Sequence, residues 1–294
     1  MKLVISSPAK VNLYLKVLGK RSDKYHELIT VFEKISLKDI IILKSRIDSR
    51  ITISSCGEKI PDDKTNLAFK AAKLLQETYK INKGIDIRIE KNIPVGSGLG
   101  GGSSNAAVVL LGLNKLWKIK ASKTTLSCLA AKIGSDCAFF IQDNLFALGK
   151  GRGEKVFGLK YTPGKPLWHI LCILPINVST ALIYNKFDSC SKPGLTSSNG
   201  NVKMLLQAIE KSDLRQLGES LFNSLEAVTF GIHPRLCRIK EYFYRCGAIA
   251  SLMSGSGSCV FGLASSKSEA ERIAGQIRKR FSVSKVFVCH TASK

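Results

Sequence analysis

The stretch Pro94-Val95-Gly96-Ser97-Gly98-Leu99-Gly100-Gly101-Gly102-Ser103-Ser104 decides how this chain is read. Before it, Ile85 to Glu90 (IDIRIE) alternates strictly between apolar and polar and predicts a strand. After it, Asn105 to Trp117 (NAAVVLLGLNKLW) is apolar nearly all round and predicts a buried helix. Glycines at 96, 98, 100, 101 and 102 allow backbone conformations closed to other residues and a close approach to a ligand. Their amides and the first amides of the helix converge at the positive end of its dipole, a place suited to phosphate oxygens. Ser103 and Ser104 add hydroxyls able to donate to phosphate or to coordinate Mg²⁺. A plain turn that merely lets the helix pack tightly is the alternative. Five glycines in seven positions, between a strand and a helix, argue against it.

Known phosphate loops are excluded one by one. Gly96-x-Gly98-x-x-Gly101 satisfies the dinucleotide spacing, but no acidic residue follows ~20 positions on, where that fingerprint needs one. The Gly-Lys-Ser/Thr ending of a P-loop is missing, and so are the HRD and DFG motifs of protein kinases.

Outward from the loop, Leu3 to Gly19 reads as two short strands around Pro8-Ala9-Lys10, and Val31 to Leu43 and Arg50 to Ile53 as further strands. Leu67 begins an amphipathic helix that Thr65 or Asn66 can cap. Ser122 to Ile133 reads as a helix, and Phe139 to Leu159 as strands joined by a glycine-rich turn. Tyr161 to Pro166 is the expected domain junction, and the Ser/Gly-rich run Cys190 to Asn201 is expected to be a mobile loop. Beyond the junction, Trp168 to Pro175 reads as a strand, Val202 to Thr229 and Arg235 to Arg245 as helices, and the rest as strand, helix and strand. Mixed elements in two lobes give an α+β protein with domains at 1–160 and 166–294.

Composition narrows the class. The 294 residues suffice for two lobes, and no apolar run approaches the ~20 residues of a membrane span. The nine cysteines are odd in number, scattered and without a CxxC pair, and none of the four histidines stands in an HExxH arrangement. They read as structural thiols of a reducing compartment. The formal charge of +23 suits a nucleic-acid binder, a field that draws in anionic substrates, or a solvated basic surface. The cations are dispersed, with no basic tail, which favours the last.

PVGSGLGGGSSNAA resembles the phosphate loop of the GHMP kinases, the superfamily of galactokinase, homoserine kinase and mevalonate kinase. The triple glycine followed by SSNAA resembles the branch acting on a cytidine-diphosphate-linked methylerythritol. PAKVNLYL, DKYHEL, FEKISLKDII, NLAFKAA, GSDCAFF, GKGRGE and SGSGSCVFG agree in the family's order, from residue 6 to about residue 262. The resemblance implies a ribosomal protein S5 domain 2-like N-terminal lobe that binds ATP and a ferredoxin-like C-terminal lobe. It implies ATP with Mg²⁺ as cofactor, transfer to the substrate's C2 hydroxyl, and a place in non-mevalonate isoprenoid precursor synthesis.

Residue by residue, the resemblance makes Lys10 and Asp136 the catalytic pair. Asp136 would accept or polarise the hydroxyl proton, and Lys10 would keep it ionised. Ser135, Cys137 and Ala138 depart from the family's GADVPFF, and the lost proline leaves the orientation of Asp136 open. Asn12 is expected at the methylerythritol end, with Tyr25, His26 and Tyr184 around the cytosine. Asn66 and Lys91 are expected near the nucleotide beside the loop from Pro94 to Ser104, and Gly255 and Gly257 in a third glycine motif that closes the site. The PAK motif begins so near Met1 that no plastid leader is expected, which points to a bacterial cytoplasmic enzyme. Its partners would be small molecules, with no nucleic acid or membrane; the sequence leaves the oligomeric state and the metal ligands open. Another GHMP kinase is the nearest rival, and a nucleic-acid-binding protein the rival of a different class.

Overall fold

A computed structural model describes residues 1–160, 166–190 and 201–293. The expected junction at 161–166 and loop at 190–201 fall largely on residues outside those described. In the first half, the strands are β1 (Lys2–Lys20), β2 (His26–Ser45), β3 (Ile51–Gly57), β4 (Ile85–Lys91), β5 (Phe146–Lys150) and β6 (Lys155–Gly158). The helices there are α1 (Leu67–Thr78), α2 (Gly101–Leu116), α3 (Lys123–Ile133) and α4 (Cys137–Ile141). In the second half, the strands are β7 (Trp168–Ile173), β8 (Phe222–Asn223), β9 (Ala250–Met253), β10 (Cys259–Ala264) and β11 (Lys285–His290). Its helices are α5 (Thr180–Cys190), α6 (Val202–Lys211), α7 (Leu214–Glu219), α8 (Glu226–Ile232), α9 (Pro234–Arg245) and α10 (Lys267–Arg280).

The first sheet runs β3-β4-β2-β1-β8, with β5 also on β2 and β6 beyond it. Strand β2 is long enough to serve two partners on the side away from β1: β5 pairs at Thr30 to Glu33 and β4 at Ile40 to Ser45. Helix α2 lies across this sheet, and Ser104 to Leu110, with Gly112 and Leu113, are all buried, as its all-round apolarity predicts. It packs with α1, α3 and α4 into one apolar core that includes Leu43, Leu75, Ile87, Val109 and Phe139. Each fully buried side chain of this kind contributes about 1.5–3 kcal/mol relative to exposure.

The second sheet has the order β11-β7-β10-β9, and every pairing is antiparallel. Helices α9 and α10 cover one face, with Leu236, Ile239, Phe243, Ile273 and Ile277 buried against Ile170 and Val260. Its other face meets the first lobe: Val11, Leu13, Tyr14 and Val31 share a core with Leu171, Leu252 and Phe261.

Three sequence expectations change. β1 is one strand, and the discontinuity at Pro8 survives as a register shift between Pro8 and Ala9, which absorbs proline's missing donor. Phe139 to Ile141 belong to α4 rather than to a strand. The helix expected over Val202 to Thr229 is broken twice: at Ser212, whose φ is +54°, and at Phe222–Asn223, which pair parallel with Tyr14 and Leu15.

Candidate active site

Beneath the glycine-rich loop lies a buried polar network centred on Asp39 of β2. One oxygen accepts from the amides of Asn92 and Ile93, both at 2.8 Å. The other accepts from Lys91 Nζ at 2.6 Å and from Asn105 Nδ2 at 2.9 Å. Asn105 also donates to Ser7 Oγ, which donates to Ser104 Oγ at 2.8 Å. Lys91 and Ser104 therefore point under the loop, away from the cleft, and fix the start of α2 to the sheet. Burial lowers the pKa of Lys91 despite the opposing charge of Asp39.

Above the network the loop is laced to the turn between β9 and β10. Gly98 has φ +77°, and a Cβ there would lie 2.2 Å from the carbonyl oxygen of Ser254, so no other residue fits. Its own carbonyl accepts from Ser254 Oγ at 3.0 Å and from Lys10 Nζ at 2.9 Å. The amide of Cys259 donates to the carbonyl of Ser97 at 3.1 Å. The turn carrying Gly255 and Gly257 thus closes against the loop, with Gly255 lining the cleft. Ser97 Oγ donates within the loop to the carbonyl of Pro94, and Leu99 is buried while Val95 is exposed.

Gly100 caps α2 with φ +70° and offers no side-chain oxygen. The helix's first amides therefore have no intrahelical acceptor and no capping group, an arrangement that suits an anion. The helix begins at Gly101; a Cβ on Gly102 would lie 3.5 Å from Leu67 of α1. Asn66 caps α1, accepting from the amide of Ala68 at 2.9 Å and donating to the carbonyl of Pro61 at 2.7 Å. It stands outside the residues that line the cleft, and so does Lys91.

Lys10, Asn12 and Asp136 come together. Lys10 Nζ lies 2.6 Å from Asn12 Oδ1, 2.9 Å from the carbonyl of Gly98 and 3.3 Å from Asp136 Oδ2. Those contacts account for the three donors of an ammonium. The Lys10 side chain is 4% exposed and that of Asp136 31%, so the cation is enclosed while the carboxylate still faces the cleft. Asp136 precedes α4 but makes no capping bond, which leaves its oxygens available. The departures from the family pattern are absorbed locally. Cys137, in the place of the family's valine, donates its amide to the carbonyl of Gly134 at 3.1 Å, and Ala138, in the place of the proline, is buried within α4. Burial pushes the Cys137 thiol up to about 12, so it stays protonated. Ser103 and Cys137 flank Gly134, placing the Ser103 hydroxyl next to the Asp136 turn.

A cleft of about 550 Å³ extends from Gly98 and Asp136 to an aromatic end. There Tyr25 is 52% exposed, His26 is buried, and the His26 and Tyr184 rings stand 4.7 Å apart. Burial, reinforced by the charge of Asp136, raises the pKa of the Tyr184 hydroxyl. Sequence reasoning missed Arg152, whose guanidinium lies 4.4 Å over the Tyr25 ring, and Asp188, which bonds His26. An arginine between Gly151 and Gly153 was a visible signal; Asp188, one turn beyond Tyr184, carried none. Ser254 and Asp39 stood inside quoted motifs, SGSGSCVFG and FEKISLKDII, but received no role, because their roles come from partners remote in sequence.

The model of the GHMP kinases N terminal domain matches residues 66–144, and that of GHMP kinases C terminal matches 205–283. The 4-diphosphocytidyl-2-C-methyl-D-erythritol kinases of Bacillus cereus and Bacillus anthracis are each 44% identical over 275 residues, 93% of this chain and 92% of theirs. A crystal structure of 4-(cytidine 5'-diphospho)-2C-methyl-D-erythritol kinase superposes with TM-score 0.83 at 32% identity, covering 99% of this chain and 100% of that one. Homoserine kinase from Cytophaga hutchinsonii shares the fold, with TM-score 0.77 at 20% identity over 99% of this chain and 95% of that one. This chain, two-lobed and α+β, belongs to the GHMP kinases and, within them, to the 4-diphosphocytidyl-2-C-methyl-D-erythritol kinase family.

Proposed function

We propose that the chain transfers the γ-phosphoryl group of ATP to the C2 hydroxyl of 4-diphosphocytidyl-2-C-methyl-D-erythritol, a step of non-mevalonate isoprenoid precursor synthesis. The observation that carries this is the Lys10–Asp136 pair, which stands between the glycine-rich loop and the aromatic end of one cleft. The alcohol oxygen attacks the γ-phosphorus, the bond to the bridging oxygen breaks, and ADP leaves. Asp136 accepts or polarises the hydroxyl proton, and Lys10, 3.3 Å from that carboxylate, orients it and offsets charge developing on the transferred group. Amides of the loop and of the first turn of α2 hold the triphosphate. Asn12, locked by Lys10 and by its own donation to Thr30 Oγ1, faces the methylerythritol end. Tyr25 and Tyr184 enclose the base, and His26 reads its edge.

Magnesium fits the donor set only as a companion of ATP. Asp136 is the one carboxylate among the cleft's lining residues, and the described residues hold no cluster of three metal-binding side chains. Phosphate oxygens would supply most of its ligands, as is usual for this ion, with Asp136 and Ser103 at hand, and it would neutralise charge on the phosphates. Residues 1–160 form the nucleotide-binding domain in this reading and 166–294 the second, in a bacterial cytoplasmic enzyme. The test is steady-state ADP release with Mg-ATP and each of the cytidine substrate, homoserine and mevalonate. Turnover confined to the first is expected; turnover of another alcohol alone would overturn the substrate assignment and keep the kinase.

A further inference from the structure

One carboxylate touches the aromatic end of the cleft without lining it. Asp188, on α5, places one oxygen 2.7 Å from His26 Nε2 and the other 2.8 Å from Lys20 Nζ. It stands one helical turn beyond Tyr184, whose ring lies against the same imidazole. Burial opposes the charge on Asp188, but the hydrogen bonds from Lys20 and His26 outweigh it and hold the carboxyl below its usual range. An ionised carboxylate only accepts hydrogen bonds, so Nε2 of His26 carries the hydrogen between them. In a neutral imidazole the remaining lone pair then sits on Nδ1. The ring lines the cleft, and Asp188 is its one hydrogen-bond partner among the described residues.

We propose that Asp188 is a positioning residue. From the second lobe it fixes His26 as the Nε2–H tautomer, so that Nδ1 is presented as an acceptor that selects a base with an exocyclic amine. The proposal rests on the reading of the cleft as a cytidine pocket. Cytosine has one donor group on its pairing edge, the C4 amine, whereas uracil puts a carbonyl at that corner and would set lone pair against lone pair. A protein that must tell these bases apart needs the tautomer held, because the other tautomer would face the same corner with a donor. Lys20 balances the charge of Asp188 without touching the imidazole.

Nitrogen-15 NMR of the unliganded protein at about pH 8 reads the tautomer directly. Only four histidines are present, and His26→Gln assigns the signal of interest. The expected result is a hydrogen on Nε2 and an unprotonated Nδ1. In Asp188→Ala the fixed tautomer is lost and KM for the cytidine substrate rises about tenfold, while KM for ATP and kcat stay within about twofold. The preference for cytidine over the uridine analogue falls in parallel. Asp188→Asn, whose amide can accept or donate, lies between the two. Lys20→Met breaks the carboxylate's other ion pair and leaves both tautomer and KM unchanged. A hydrogen on Nδ1 in the unaltered protein, or equal losses in Asp188→Ala and Lys20→Met, would overturn the proposal. Failure of the unaltered enzyme to use the cytidine substrate would strike the pocket reading instead, because the tautomer is read without substrate.

Discussion

In the proposed reaction two demands meet at Asp136: a cation must stand beside the carboxylate, and the carboxylate must be open to the substrate. Lys10 meets the first from an enclosed position, held by Asn12 and the Gly98 carbonyl, so the charge that supports Asp136 cannot swing away with solvent. Asp136→Asn keeps the shape and removes the proton acceptor. It should lower kcat by a factor on the order of 10²–10⁴ while ATP affinity changes little; rapid-quench turnover and calorimetric titration read the two quantities separately. Normal turnover in that variant would take the residue out of the mechanism. A second prediction concerns Lys34, whose ammonium donates to the carbonyl of Gln142 and lies 5.2 Å over the Phe139 ring. Burial lowers its pKa from 10.5 to about 8, with the charge of Asp143 opposing the shift. Between those values the folded state holds fewer protons than the unfolded one, so Lys34 makes stability rise with pH across that window. Below it, the buried charge carries its full cost. Lys34→Met should therefore gain most over the parent near neutrality and lose that advantage toward about pH 10, as urea unfolding at both ends would measure.

Among the elements, the first turn of α2 depends on what lies beneath it. Asp39, itself fully buried, joins β2, the end of β4 and the second turn's Asn105 through four hydrogen bonds. Lys91→Met leaves that carboxylate buried without its cation and should cost about 3–5 kcal/mol by chemical denaturation. Lys91→Met with Asp39→Asn removes the stranded charge and should recover a good part of the loss; equal loss in single and double variants would show that the pair is not the source. The same elements show what a sequence can display. The alternation of Ile85 to Lys91 and the apolar girth of α2 announced a strand and a helix, because both patterns record local burial. The glycines likewise announced a tight loop, because a positive φ is a local demand that Gly96, Gly98 and Gly100 meet. Lys91 and Asn66 were visible as polar residues beside it, but whether such a residue faces a ligand or its own scaffold depends on a neighbour elsewhere in the chain. Asp39 takes Lys91, and the start of α1 takes Asn66. Strand β8 was hidden because two residues carry no period, and only β1 gives them their form.

For the whole molecule, the charge of +23 is a long-range property that no single contact explains. Lys10, Lys24 and Arg152 carry it into the cleft, where both proposed substrates would arrive as anions. Raising the ionic strength from about 0.05 to 0.5 M should lower kcat/KM for the cytidine substrate several-fold and leave kcat nearly unchanged. A flat kcat/KM would assign the charge to the outer surface alone. The lobes themselves are joined by an apolar core and by a second kind of tie. The first sheet takes β8 from residues 222–223, Thr291 bridges Ile35, and the amide of Ala292 donates to the carbonyl of Lys34. For a chain growing on the ribosome, this has a consequence. When residues 1–160 have emerged, β1 still has an open edge at Tyr14 and Leu15, and β2 lacks its last partner. Native order in the first lobe must wait for residues 222–223 and then 291–292, so nascent chains should need shielding from aggregation until synthesis is nearly complete.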